Sequence, residues 1–142
     1  ISAGQLIDRT GKLLELPFPS GKHLDALSQA AEGSEVFKVK CPAMEFSLSG
    51  VQNKVEAFYR EHGDKAETAA YALRCVCAAV MQESKNALKA YPGHRIVFSG
   101  GVASNSMLRR ELESLNPIFS EPQYSTDNAM GIAVLTARAM EE

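Results

Sequence analysis

Three stretches of this chain hold residue types and spacings able to do chemistry. The first is Ile96-Val97-Phe98-Ser99-Gly100-Gly101-Val102-Ala103-Ser104-Asn105, an apolar run that meets two glycines and passes into helical spacing. Glycines at a strand end let backbone approach a ligand closely, because no Cβ stands in the way. The helix that follows presents unpaired N–H groups and a positive dipole end, which suit a phosphate or a ribose oxygen. A strand-to-helix turn that uses glycine for packing alone has the same pattern, and a glycine pair does not separate the two readings.

The second stretch is Tyr124-Ser125-Thr126-Asp127-Asn128-Ala129-Met130. Asp127 stands where a helix is expected to begin, so its carboxylate reads as an N-cap or as one ligand of a metal. One carboxylate is not a site, and His23, His62 and His94 are scattered with no pair at ligand spacing. The third stretch sets Asp8 on the polar side of a helix ahead of Phe18-Pro19-Ser20-Gly21 and Asp25. A carboxylate near a glycine-containing loop can accept from ribose hydroxyls. Solvated surface acids have the same pattern.

The elements that must position these residues follow from periodicity. Ala3, Leu6, Ile7, Thr10, Leu13 and Leu14 recur at helical spacing, and Pro17 and Pro19 end that helix. A short helix is expected through Leu24, Leu27 and Ala31, then a strand over 35–40. Val51, Val55, Phe58 and Tyr59 predict a third helix closed by His62-Gly63. Asp64 with Glu67 resembles a capping arrangement for a fourth, which runs to about Ala90 and is apolar nearly all round from Tyr71 to Met81. Such a helix belongs in the domain centre. Strands are expected at 95–99 and 118–119, with a helix bearing Leu108, Leu112 and Leu115 between them. A last helix is expected from Asp127, carrying Met130, Ile132, Ala133, Leu135 and Met140. Five or six helices against two or three short strands make a small sheet for an α/β domain, as if the chain were half of a larger fold.

Lys and Arg number 15 and Asp and Glu 17, a net charge of −2 that excludes a domain gripping nucleic acid by bulk charge. No stretch is long and apolar enough to span a membrane. The start at Ile1 rather than Met, without signal-peptide layout, points to a fragment. Cys41, Cys75 and Cys77 form no framework, and the last two project to different sides of a helix; buried free thiols and a reducing cytoplasm are expected.

In order and spacing the three stretches resemble the tRNA N6-adenosine threonylcarbamoyltransferases, once called sialoglycoproteases. Gly100-Gly-Val-Ala-Ser-Asn-Ser-Met-Leu-Arg109 is close to that family's most specific signature. Tyr124 to Ala133 resembles its metal-aspartate segment. Asp8 to Gly21 resembles its Asp-Lys helix and Tyr-Pro-Gly-Gly loop, and Phe46-Ser-Leu-Ser-Gly50 its Phe-Ser-Gly-Leu-Lys segment. The resemblance covers nearly the whole chain.

It implies an α/β fold, the helix-rich second lobe of an actin-like, ribonuclease H-like two-lobed ATPase. Residues 1–142 would be a single partial domain with a helical insertion near 42–91. Asp8, Gly21, Asp25, Gly100, Gly101 and Asn105 would line a pocket for ATP or threonylcarbamoyl-adenylate. Asp127 would be one ligand of a divalent iron or zinc. The implied partners are an N-terminal lobe, tRNA and accessory subunits of the modification complex. The lobe by itself is expected to be inactive and to self-associate.

The chain departs from the family pattern in several places. It has no His-x-x-x-His and no glycine-rich phosphate loop ahead of Asp8. Ser20 replaces the first loop glycine, Lys22 the following proline, and Gln52 a lysine. These departures point to a second reading, a non-catalytic paralogue serving as a nucleotide-binding or scaffold subunit; a third is a sugar-kinase-like phosphotransferase that shares only the fold.

Overall fold

Ser2 opens the first helix by accepting from the Gln5 backbone N–H at 3.1 Å, while the Gln5 side chain accepts from the Ser2 N–H at 2.9 Å. This reciprocal capping box starts α1, Ala3–Leu13. The computed structural model describes residues 1–42 and 47–119, and the backbone of residues 131–136. At its end α1 turns through Glu15 in the left-handed region (φ 62°), with the Leu16 N–H bonded to the Gly11 carbonyl at 2.8 Å. That closure satisfies a terminal carbonyl before Pro17 is reached.

The next helix, α2, spans Gly21–Ser28 and ends earlier than the expected Ala31. Residues 29–31 bond back three residues rather than four, and Ser28 Oγ donates to the Asp25 carbonyl at 2.7 Å. Helix α3, Ser49–His62, closes on Gly63 (φ 65°), and Asp64 then caps α4, Lys65–Ala90, by accepting from the Glu67 N–H at 2.9 Å. Both boundaries match the local sequence signals.

The long α4 touches α1, α2, α3, α5 and β1. Its Ala69, Ala72, Leu73, Cys75, Val76, Ala79 and Val80 are buried, and no single polar stripe interrupts them. Full burial of each large side chain contributes roughly 1.5–3 kcal/mol. Helix α4 is therefore the axis on which the others pack. Beside it Phe58 stacks between His62 and Tyr71, with ring centroids 4.0 and 4.4 Å away.

Strand β1, His94–Ser99, buries Ile96 and Phe98. A 3-10 turn at Gly101–Ser104 leads to α5, Ser106–Leu112, a second 3-10 turn at Glu113–Leu115, and β2, Ile118–Phe119. The sheet is mixed and runs β2-β1-β3, where β3 is Gly131–Thr136. Strand β1 lies parallel to β2 (Val97 opposite Ile118) and antiparallel to β3 (His94 opposite Thr136, Ser99 opposite Gly131).

Two expectations about elements are corrected. The strand expected over 35–40 is irregular chain and pairs with none of the described strands. It is instead strapped to α4: Arg74 donates to the carbonyls of Gly33 (2.6 Å) and Glu35 (2.8 Å), and the Phe37 N–H donates to Cys75 Sγ at 3.4 Å. The helix expected from Asp127 is, over residues 131–136, a strand. There β1 offers a free edge, and Ile132, Val134 and Thr136 are β-branched at alternate positions, a pattern that suits a pleat. Residues 127–130 and 137–140 of that expected helix lie outside the described residues.

Candidate functional site

The strand-to-helix turn begins at Gly100, whose φ of 96° and ψ of 168° favour glycine strongly. Gly101 has no such angle and simply begins the 3-10 turn. Asn105 follows as the N-cap of α5, its Oδ1 accepting from the Leu108 N–H at 3.0 Å, and it is 8% exposed. Arg109, one turn into α5, reaches back and donates from Nε to the Ala103 carbonyl at 3.0 Å. Its guanidinium also lies over the Phe119 ring, 4.4 Å from the centroid. The turn is thus held by its own helix from both sides.

Asp25 joins the same turn from α2. Its Oδ2 accepts from the Ser106 N–H at 2.9 Å and its Oδ1 from Ser106 Oγ at 2.5 Å, across 81 residues of sequence. A carboxylate at this helix start is electrostatically favourable. It also means that the Ser106 and Leu108 amides at the start of α5 are bonded within the protein, by Asp25 and Asn105. Those two N–H groups are therefore not the unpaired donors that the sequence led one to expect for a phosphate or ribose oxygen.

Asp8 is tied to the entry of α2. Its Oδ1 accepts from the Ser20 N–H at 3.0 Å, and Ser20 Oγ donates to the Pro17 carbonyl at 3.1 Å. Gly21 is the first residue of α2, and a Cβ there would meet nothing within 4 Å. The residues predicted from sequence therefore form a connected set: Asp8 to Ser20, then Gly21 and Asp25 on α2, then Ser106 beside Asn105. Helix α1 also touches the Gly101–Ser104 turn.

A hollow of about 490 Å³ lies beside Asp8, Arg9, Lys12, Glu15, Leu16, Phe18 and Ser20. Of the predicted residues it reaches Asp8 alone. Asp127 lies outside the described residues. Among the described residues no three His, Cys, Asp or Glu side chains are grouped to hold a metal ion.

The two departures at Ser20 and Gln52 have physical counterparts. Ser20 packs directly over Gly11, where any side chain would collide with it. Gln52 Oε1 accepts from Arg9 Nη1 at 2.7 Å, a bond that a lysine at 52 would replace with two facing cations. Sequence reasoning did not find Ser106 or Gly11. A glycine inside an otherwise periodic helix was the available signal for the second. For Ser106 only its place after Asn105 hinted at a role.

The cysteines are buried or partly buried and form no disulfide. Burial pushes the Cys77 thiol up to about 12, with Glu111 and Asp25 adding to the rise and Arg110 opposing it. Burial likewise raises Cys75 and Cys41. None is poised as a nucleophile. Among the described residues, no helix is long and apolar enough to cross a membrane.

Comparison with known proteins converges on one group. The family profile for tRNA N6-adenosine threonylcarbamoyltransferase matches residues 1–134. Curated proteins with that same name are similar along most of the chain. The one from Carboxydothermus hydrogenoformans is 34% identical over 93% of this chain and 43% of its own length. The one from Anaeromyxobacter sp. is 30% identical over 97% of this chain and 46% of its own length. That from Streptococcus suis is 31% identical, over 94% and 44% respectively. The chain spans less than half the length of these relatives.

Proposed function

This chain belongs to the tRNA N6-adenosine threonylcarbamoyltransferase family, and from that premise we propose that it forms the nucleotide-binding lobe of a two-lobed, actin-like transferase acting on tRNA adenosine. One observation carries the reading. Asp8, Gly21, Asp25, Gly100 and Asn105 come from two distant stretches, and the Asp8–Ser20 and Asp25–Ser106 hydrogen bonds link their elements into one assembly.

ATP or threonylcarbamoyl-adenylate would lie against the Gly100–Asn105 turn, where the absent side chain at Gly100 lets backbone come close. Asp8 and Asp25 would accept from its hydroxyls, and the Asn105 amide would bond a polar edge. These residues bind and orient; the rest of the protein would supply the opposite wall, since ligand sites favour domain interfaces. Asp127 would be one ligand of an iron or zinc ion, and its other ligands would come from outside this chain. Transfer of threonylcarbamoyl to tRNA would then need both halves, together with the accessory subunits of the modification complex. Phe18, 77% exposed beside the hollow at Asp8, is an apolar surface for the second half to cover.

The test is calorimetric titration with ATP of the full-length protein and of this chain. Micromolar binding is expected for the full-length protein, and none or millimolar binding for the chain. A micromolar constant for the chain would show a complete pocket here and overturn the two-lobe reading.

A further inference from the structure

Asp25 is gripped at both carboxylate oxygens by one residue, and that residue is Ser106. Its backbone N–H would bond Asp25 whatever its side chain, whereas the hydroxyl is a separate contact, to the other oxygen. One bond alone leaves the carboxylate free to rotate about its terminal torsion, which is broad and soft. Two bonds to different oxygens fix its plane. The contact joins α2 to the turn that ends in Asn105, so it also sets the separation of Asp25 and Asn105.

An ionised carboxylate has about four acceptor positions. Ser106 occupies two, which leaves two for a ligand. The serine therefore orients Asp25 without using it up, and a vicinal diol is the ligand group with two donors at matching spacing. From this geometry we infer that Ser106 is a positioning residue that aims Asp25 at the ribose diol of the bound nucleotide and so makes the site selective for that diol. The inference rests on the proposed nucleotide-binding role of Asp25.

The experiment measures the affinity of the full-length protein for ATP and for 2′,3′-dideoxy-ATP, in the wild type and in Ser106→Ala, Ser106→Cys and Ser106→Thr. Wild type is expected to prefer ATP. Ser106→Ala is expected to weaken ATP about tenfold, the size of one hydrogen bond to a charged group, and to leave dideoxy-ATP unchanged. Ser106→Thr retains the hydroxyl and should restore the ATP preference. Ser106→Cys keeps the volume with a poor donor and should behave as alanine does, which covers the case where Ser106→Ala fails to fold.

Equal weakening of both ligands would show a merely structural contact and overturn the inference. So would unchanged ATP binding in Ser106→Ala and Ser106→Cys while Asp25→Asn weakens it, though the nucleotide reading would then stand. A wild-type protein that binds neither nucleotide would overturn both.

Discussion

Replacing Gly11 with alanine sets local propensity against packing, and the structure decides the sign. In an isolated helix the change stabilises by about 1 kcal/mol, because glycine is the poorer helix former. Here an ideal Cβ at Gly11 would lie 2.0 Å from Ser20 Oγ and 2.2 Å from Ser20 Cβ, where carbon atoms in contact sit roughly 3.5–4.0 Å apart. Rotating the serine side chain moves its Oγ but cannot move its Cβ, so α1 or the 17–21 segment must shift as backbone. Such overpacking costs about 1–3 kcal/mol. The shift also disturbs the Asp8–Ser20 and Ser20–Pro17 hydrogen bonds, each worth about 1 kcal/mol. After the propensity gain is set against these, Gly11→Ala should destabilise by about 2–4 kcal/mol. For a chain of this size that lowers the thermal midpoint by roughly 7–13 °C. Urea unfolding of the wild type, Gly11→Ala, Ser20→Gly and the double variant measures both the loss and the coupling. The double variant should regain part of the stability, since it removes both atoms that collide. A Gly11→Ala protein as stable as the wild type would refute the argument.

Asn105→Ala removes the cap of α5 and should cost about 1 kcal/mol in stability, besides weakening ATP binding in the full-length protein; unfolding and titration on the same samples separate the two, and no loss of stability would contradict the observed cap. Glu15→Gly relieves the left-handed backbone after α1 and should stabilise by about 0.5–1 kcal/mol, because the exposed pair with Lys65 at 3.6 Å that it gives up is worth little; a less stable variant in urea unfolding would argue against strain there. Burial raises the Cys77 thiol and the Tyr71 phenol each to about 12 and raises Cys75 as well. The folded chain therefore holds protons that the unfolded chain releases, from about pH 8.5 for a thiol and about 10 for a tyrosine. This contribution is whole below about pH 8.5 and is lost as pH rises toward 12. Thermal midpoints should fall across that window, less so in Cys77→Ala; a flat profile in the wild type would contradict the burial of these groups.

The sequence alone was enough for the parts of this protein whose causes are local. Helices α1, α3 and α4 follow from apolar spacing, and the boundary between α3 and α4 follows from Gly63 and Asp64, whose partners lie within four residues. The resemblance also singled out Asp8, Gly21, Asp25, Gly100 and Asn105, which the fold links through their neighbours. What it did not reveal depends on partners far along the chain. A strand has no intrinsic hydrogen-bond partner, so the alternating pattern at 35–40 came to nothing beside α4, while residues 131–136 took the open edge of β1. The bonds of Asp25 to Ser106 and the clash that keeps position 11 a glycine exist only because α2 lies against the α5 turn and Ser20 lies over α1. Periodicity reports which face of an element is apolar, but only the packed fold decides which polar side chain a carboxylate finally meets.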